Sequence, residues 1–532
     1  MSVFIGYPSF MAYQMMKGKK GNNDGFPSIP GMVARYSGAG LTNEEMSKNP
    51  VWKDLIGNGH DLQMKNFAWK EGSGISDIYP GALVFGGVDD YGVCDNFPIL
   101  TKEKGYTVVA LRSYLAESIG YLVYNGTNAK QSAFAFERSD SLDTWSWGKN
   151  SPIRNLLPKL MSYQTSNSYN NNIISTGTAI EGDKLIRIAS SGGCNVAIWE
   201  LVFLDHDATE EELTKIKDYF IKTYPWLFPD QAWTVTGKTN EDEDRATIAN
   251  ITGNGNDLIL QNFEFAEGSG YGLYAQNYIS YAITNRAVYT KTNSSIHVTK
   301  SITAGVNFTE SARDVTIPSY RIKVTGIQSG QEMIYRGSNN TFLTNIPSDG
   351  IYVLPAVENG SNLGFQFVSY TGDCDITIEQ IPDLEGYLVT DGVDDKIISS
   401  IFKMGNDWTV IGDWELINTG KNDNAGIVKF DSIVIYNYNS MLINIKNGRN
   451  ILIPDQNTVN AICSDGRIYS KDWKESIYNE ETESTSKNFL TIGYSGNTYT
   501  KIAFKNLAIY PTVLSREDCI KAYNYLQTLK AK

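Results

Sequence analysis

Gly57-Asn58-Gly59-His60-Asp61-Leu62, followed by Asn66-Phe67 and Glu71-Gly72-Ser73-Gly74, returns as Gly253-Asn254-Gly255-Asn256-Asp257-Leu258, Asn262-Phe263 and Glu267-Gly268-Ser269-Gly270. From position 57 to 253 the offset is 196, and 11 of the 18 positions from Gly57 to Gly74 are identical, so one module is used twice. A second pair widens the spacing. Gly81-Ala82-Leu83-Val84 with Gly87-Val88-Asp89-Asp90 matches Gly386-Tyr387-Leu388-Val389 with Gly392-Val393-Asp394-Asp395, now 305 residues apart. The second copy is therefore split by a guest of about 110 residues, an ordinary size for a small domain.

Both copies close alike. Leu201-Val202-Phe203-Leu204 is an apolar strand, and Thr209-Glu210-Glu211-Glu212 is a capping-box signature opening a helix with Leu213, Ile216 and Phe220 on one face. Leu507-Ala508-Ile509-Tyr510 leads in the same way to Ser515, with Cys519, Ala522 and Leu526 at helical spacing. Elsewhere, short β-branched and aromatic runs such as Tyr121-Leu122-Val123-Tyr124 are punctuated by Gly, Asn, Asp and Ser. The guest alternates, as in Tyr320-Arg321-Ile322-Lys323-Val324 and Leu363-Gly364-Phe365-Gln366-Phe367, the period of a sheet with one wet face. The expected fold is all-β: an N-terminal arm (1–30), a first sandwich (31–228), a second sandwich in two pieces (229–270 and 383–532) and an inserted small antiparallel β-sandwich (271–382).

Composition agrees. A chain of 532 residues with 41% apolar, 12% aromatic and 20% charged residues can bury several cores. A net charge of −13 argues against nucleic acid, whose phosphates call for dense Lys and Arg. Five widely spaced cysteines, Cys94, Cys194, Cys374, Cys463 and Cys519, give no zinc spacing and read as buried free thiols. The first residues lack the pattern of a secretory signal, and no stretch is apolar enough to span a membrane. The expectation is synthesis in a cytoplasm.

Catalytic chemistry is thin. The three histidines, His60, His206 and His297, lie in separate regions, and His60 becomes Asn256 in the repeat. Asp205-His206-Asp207 precedes a capped helix and reads as turn and cap. Gly237-Lys238-Thr239 lacks the earlier glycine of a phosphate loop, and no Glu-x-Asp-x-Glu strand offers the two carboxylates of a glycosidase. The expectation is a protein that is not an enzyme.

Trp52-Lys53-Asp54-Leu55-Ile56-Gly57-Asn58-Gly59-His60-Asp61-Leu62 with Val84-Phe85-Gly86-Gly87-Val88-Asp89-Asp90-Tyr91 resembles the opening of laminin-G or concanavalin A-like jelly-roll sandwiches. The first copy departs at Gly86, where the family has Asp, and the second at Thr390, while Asp391 keeps the Asp. The split second module with a β guest resembles virion appendage proteins, head fibres or tail fibres, of crAss-like Bacteroides phages. That resemblance implies a structural virion protein displaying lectin-like modules to host-surface or mucosal glycans. A secreted bacterial carbohydrate-binding protein is the alternative, and a glycoside hydrolase on the same scaffold is a third.

Three candidate sites emerge. Trp145 and Trp147 put two indoles on one strand face, with Tyr163 and Tyr169 in the Asn- and Ser-rich segment 162–172. Sugar rings stack on such aromatics while amides bond their hydroxyls, although strand aromatics also pack cores. Phe4, Tyr7, Phe10 and Tyr13 make the N-terminal arm apolar, suiting it to anchor on a phage capsid or other virion protein, or to build a homo-dimer or trimer. Packing of the arm on its own module is the alternative. Asp89, Asp90, Asp394 and Asp395 could hold calcium or could close turns with their backbones; no other cofactor is expected.

Overall fold

The computed structural model describes residues 24–531 apart from 117–119, 128–131, 139–143, 147–159, 174–181, 191–192, 267, 274–277, 280–281, 293, 312–314, 338–340, 361, 401–404, 418–425, 431–432, 438–440, 446–448, 454–458, 471, 478–489, 493 and 496–497. The fold is an all-β sandwich architecture, 44% strand and 9% helix. Two units are distinguished, one of residues up to Pro229 with Leu514–Thr528, the other of Asp230–Val513 with the last residues of the chain.

In the first unit one sheet runs Asn172–Ile173, Ser168–Tyr169, Met161–Thr165, Thr107–Tyr114, Asn195–Leu204, Leu83–Gly86, Gly74–Ile75, and Met32–Ser37 pairs with Asn195–Leu204 as well. The facing sheet runs Trp145–Ser146, Phe134–Arg138, Tyr121–Asn125, Ile186–Ile188, Tyr91–Cys94, Leu62–Lys65, Val51–Trp52. All pairs are antiparallel. Between the sheets lie Tyr36, Trp52, Leu62, Phe85, Val108, Phe134, Phe136, Ile198 and Phe203, all buried.

The second unit repeats this order. Glu475–Ile477, Arg467–Ser470, Val459–Cys463, Thr409–Leu416, Ile502–Tyr510, Leu388–Val389 and Gly270–Tyr271 form one sheet, with Gln231–Thr234 paired to Ile502–Tyr510. Thr247–Ile248 and Leu258–Gln261 open the other, next to Lys396–Ser399 and Leu490–Ile492. The repeated sequence motif is a shared hydrogen-bonded frame. The Asp54 amide donates to Asp61 Oδ1 at 2.9 Å, and the Asn250 amide to Asp257 Oδ1 at 2.8 Å. Ser73 Oγ accepts from the Ala68 amide and Ser269 Oγ from the Glu264 amide, each at 2.9 Å. Satisfying backbone groups at a sharp bend demands these short polar side chains, so they recur where the neighbouring apolar residues drift.

Between Tyr271 and Leu388 the guest builds a five-stranded sheet, Ala287–Lys291, Ser295–Ser301, Gly372–Gln380, Tyr320–Thr325, Gly350–Leu354, and a three-stranded one, Phe342–Ile346, Met333–Arg336, Gly364–Phe367. Tyr320, Ile322 and Val324 are buried while Arg321 and Lys323 are exposed, as the alternation predicts. Gly364–Phe367 departs from a wet face: Gln366 is buried, and Arg336 Nη1 donates to its Oε1 at 3.1 Å.

The capping box of the Glu210–Thr223 helix forms as read, with Thr209 and Glu212 bonding each other's backbones, an arrangement worth about 1 kcal/mol. Its buried residues are Ile216, Tyr219 and Phe220. The last helix, Arg516–Leu526, buries Cys519, Ala522, Tyr525 and Leu526. The sequence assigned it to the second sandwich, but it packs in the first unit. There Tyr525 meets Trp199 edge-on, centroids 6.1 Å apart, and Lys521 Nζ stands 4.4 Å from the Trp226 ring centre.

Among the described residues, the first unit holds two ion pairs buried on both sides. On the helix-covered side, Arg35 donates through Nε and Nη2 to Glu200 at 3.0 and 3.1 Å, and Tyr224 donates to Glu200 Oε1 at 2.7 Å. Burial pushes the Glu200 carboxyl up, against the pull of Arg35. Between the sheets, Arg112 Nε and Nη2 donate to Glu137 at 2.8 and 2.7 Å. Removing charges from water is costly, so such pairs persist only with bidentate geometry and extra bonds.

Candidate functional site

The segment 162–172 folds as a hairpin that serves two opposite purposes. Asn170 and Asn171 have φ of 43° and 68°, the left-handed region that a two-residue hairpin turn requires and that Asn tolerates. The Asn170 side chain accepts from the Tyr163 amide at 3.0 Å, the Asn170 amide donates to Tyr163 O at 3.0 Å, and the Tyr163 hydroxyl donates to Asn171 Oδ1 at 2.6 Å. The preceding bend is tied down by Asp207, which accepts from the Ser166 amide and hydroxyl at 2.7 Å each and from Asn167 Nδ2 at 2.8 Å. Asp205-His206-Asp207 is thus structural in the way the sequence suggests, and His206 Nε2 lies 3.2 Å from Glu212.

Against this hairpin stands one face of the Glu210–Thr223 helix. Glu210, Leu213, Thr214 and Lys217 follow the i, i+3, i+4, i+7 spacing of a single stripe. With Tyr163, Thr165, Ser168, Asn170 and Asn171 they line a cavity of about 630 Å³. That volume falls within the range of small-molecule sites. The Tyr163 ring is half-buried, and burial, with the Glu210 carboxylate close by, raises its hydroxyl above the usual phenol value. The cavity therefore presents an aromatic ring, two amides, three hydroxyls of Thr165, Ser168 and Thr214, one carboxylate and one ammonium.

Of the four aromatics expected to bind sugar, Tyr163 lines this cavity. Tyr169 is fully buried, and its hydroxyl donates to Glu137 Oε1 at 2.8 Å, completing the inter-sheet ion pair. It is a core residue, not a ligand contact. Trp145 lies on a two-residue strand paired with Ala135; its side chain, and all of Trp147, lie outside the described residues, as do Phe4, Tyr7, Phe10 and Tyr13. Leu213, which the sequence pattern gives to the packing face with Ile216 and Phe220, lines the cavity instead, and Glu210, Thr214 and Lys217 carry no sequence signal beyond a solvated helix face.

The paired aspartates close turns. Asp90 Oδ2 accepts from the Gly86 amide and Asp395 Oδ2 from the Asp391 amide, each at 2.7 Å. Asp89 and Asp394 are exposed, and their carbonyls accept from Asn66 and Asn262. The copies differ at one place. Asp391, where the first copy has Gly86, joins Asp394 and Asp395 in a group whose carboxylate oxygens lie within 4.8 Å of one another. Burial raises Asp395 to about 6, assisted by Asp391 and Asp394.

The sequence matches no family model and no curated protein. Among solved structures, Trypanosoma rangeli sialidase in complex with sialic acid is similar at 13% identity and a TM-score of 0.25, over 37% of this chain and 36% of the sialidase chain. The binding domain of botulinum neurotoxin DC in complex with rat synaptotagmin II is similar at 11% identity and a TM-score of 0.28, over 89% and 99%. A structure of botulinum neurotoxin type C, a toxin whose cell entry depends on interaction with two ganglioside molecules, is similar at 10% identity and a TM-score of 0.27, over 91% and 98%. The chain spans about a third of the length of the sialidase it matches. The expectation that the protein is not an enzyme is corrected here, because sialidases, which are enzymes, stand among its structural neighbours. At these scores the likeness assigns no reaction and no ligand to this chain.

Proposed function

We propose that the protein is a lectin-like display protein whose first sandwich takes a saccharide into the cavity between the Asn170–Asn171 hairpin and the Glu210–Thr223 helix. The observation that carries this reading is the composition of the cavity: a half-buried tyrosine ring beside amides and hydroxyls. A sugar offers apolar ring faces and a rim of hydroxyls, and this mixture answers both. The test is a glycan array with the full chain and Tyr163→Ala. The variant is expected to lose array signal at least tenfold while its melting temperature stays within a few degrees of the parent. Unchanged glycan binding by the variant would overturn the reading.

The setting we propose is a virion appendage, a structural protein of a tailed phage that carries this cavity towards host-surface or mucosal glycans. The reading is supported by the motif resemblance and by an N-terminal arm rich in Phe, Tyr and Met. Deleting residues 1–25 is expected to leave the sandwiches folded by circular dichroism and to abolish self-association or incorporation into particles. Assembly of the truncated chain like the parent would contradict it.

A further inference from the structure

Lys217 has an unusual position for a helix lysine in this protein. Its neighbour Lys215 pairs with Glu211 at 2.7 Å, the i,i+4 arrangement that quiets most surface charge on a helix. Lys217 has Leu213 four residues before it and Ile221 four residues after, so the helix offers it no such partner. Among the described residues it forms no ion pair, and it is exposed at the cavity wall. Glu210, the acidic member of the same stripe, is likewise without an ion pair among the described residues. Seven residues apart, their backbone positions stand about 10 Å from one another along the helix axis. The cavity wall is thus polarised, negative beside Tyr163 and positive towards its other end, in a chain whose overall charge is −13.

We propose that this cavity selects carboxylated saccharides, with the ligand's carboxylate on Lys217 Nζ and its hydroxyls directed to Glu210 and the asparagine amides. This rests on the saccharide reading above and names the ligand class for that site. The physical argument is one of position. A carboxylate beside Glu210 would meet like charge, whereas beside Lys217 it gains a charge-assisted hydrogen bond from an ammonium that pairs with no carboxylate among the described residues. A neutral sugar gains only the weaker bond of an ammonium to a hydroxyl at Lys217, so the lysine favours the acidic ligand while Tyr163 and the amides set affinity common to both. The second copy has lost this chemistry: Arg516 and Tyr523 stand where Glu210 and Lys217 stand in the first.

The test titrates the full chain, Lys217→Ala and Glu210→Gln with oligosaccharides ending in a uronic or sialic acid and with their carboxyl-reduced, neutral counterparts. The parent is expected to prefer the acidic member of each pair. Lys217→Ala should lower affinity for acidic ligands about tenfold and leave neutral ones within twofold, and raised salt should erode the acidic preference. Glu210→Gln should leave the acidic preference intact or enlarge it. Both exposed substitutions keep the fold, which the melting temperature checks. An unchanged acidic-to-neutral ratio in Lys217→Ala overturns the proposal. Binding of neutral sugars alone by the parent also overturns it while sparing the saccharide reading, and failure to bind any sugar brings down both.

Discussion

The two sandwiches are one frame with two fillings. Asp61 and Asp257, Ser73 and Ser269, and Asp90 and Asp395 make the same backbone bonds in each. Side chains that point off that frame diverge. Tyr163 is paired with Val109, and the residue in the same register of the second copy, opposite Ile411, is Ala461, fully buried. Arg112, two strand residues beyond Ala110, corresponds to Trp414, two beyond Gly412, so an ion pair between sheets in one copy is an indole in the other. Backbone hydrogen bonds at bends tolerate few residue types, whereas the space between or outside sheets accepts any filling that packs and is satisfied. The two copies thus share the scaffold and differ in what fills it.

The largest effect should come from the filling that the second copy lacks. Glu137→Gln removes the charge that holds Arg112, Tyr114 and Tyr169, leaving a guanidinium buried without its counter-charge. The first unit should lose about 3 kcal/mol, seen as an earlier first step in denaturant unfolding with the second step unmoved. A single unshifted transition would show that the pair adds nothing to the frame.

A smaller loss, about 2 kcal/mol, is expected from Tyr525→Ala, which empties the contact with Trp199. Although Tyr525 follows the second module in sequence, the step that moves in a calorimetric scan should be that of the first unit. Movement of the other step would return this helix to the second sandwich.

The smallest effect separates Asp391 from Gly86. Asp395, with a folded pKa of about 6 against an ordinary 3.8, binds its proton more tightly when folded. It contributes stability below about pH 4 that is lost as pH rises through about 6. Asp391→Gly removes one repelling carboxylate while keeping the amide that bonds Asp395, so this decline between pH 4 and 6 should shrink by well under about 1 kcal/mol. Melting temperatures of parent and variant across that range provide the check; parallel curves would contradict it.

The repeat, the split second copy and the caps were legible because each depends on local residue types at fixed spacing. Tyr163 and its asparagines were legible as an aromatic within an amide-rich turn. Tyr169 misled because strand parity decides which side a ring faces, and the hairpin register that pairs Gln164 with Tyr169 sends its ring into the core. The helix stripe of Glu210 and Lys217 was hidden because nothing in the chain says that a hairpin 40 residues upstream would stand beside it. Arg112 and Glu137 were invisible for a similar reason, being brought together only when the two sheets close.

The central proposal, that the first copy of the shared frame binds a saccharide and the second does not, is tested most directly by calorimetric titration of the full chain with an array-selected saccharide. The account predicts one site per chain, abolished by Tyr163→Ala and untouched by substitutions at Ala461. Two equivalent sites per chain, or a single site that survives Tyr163→Ala, would contradict it.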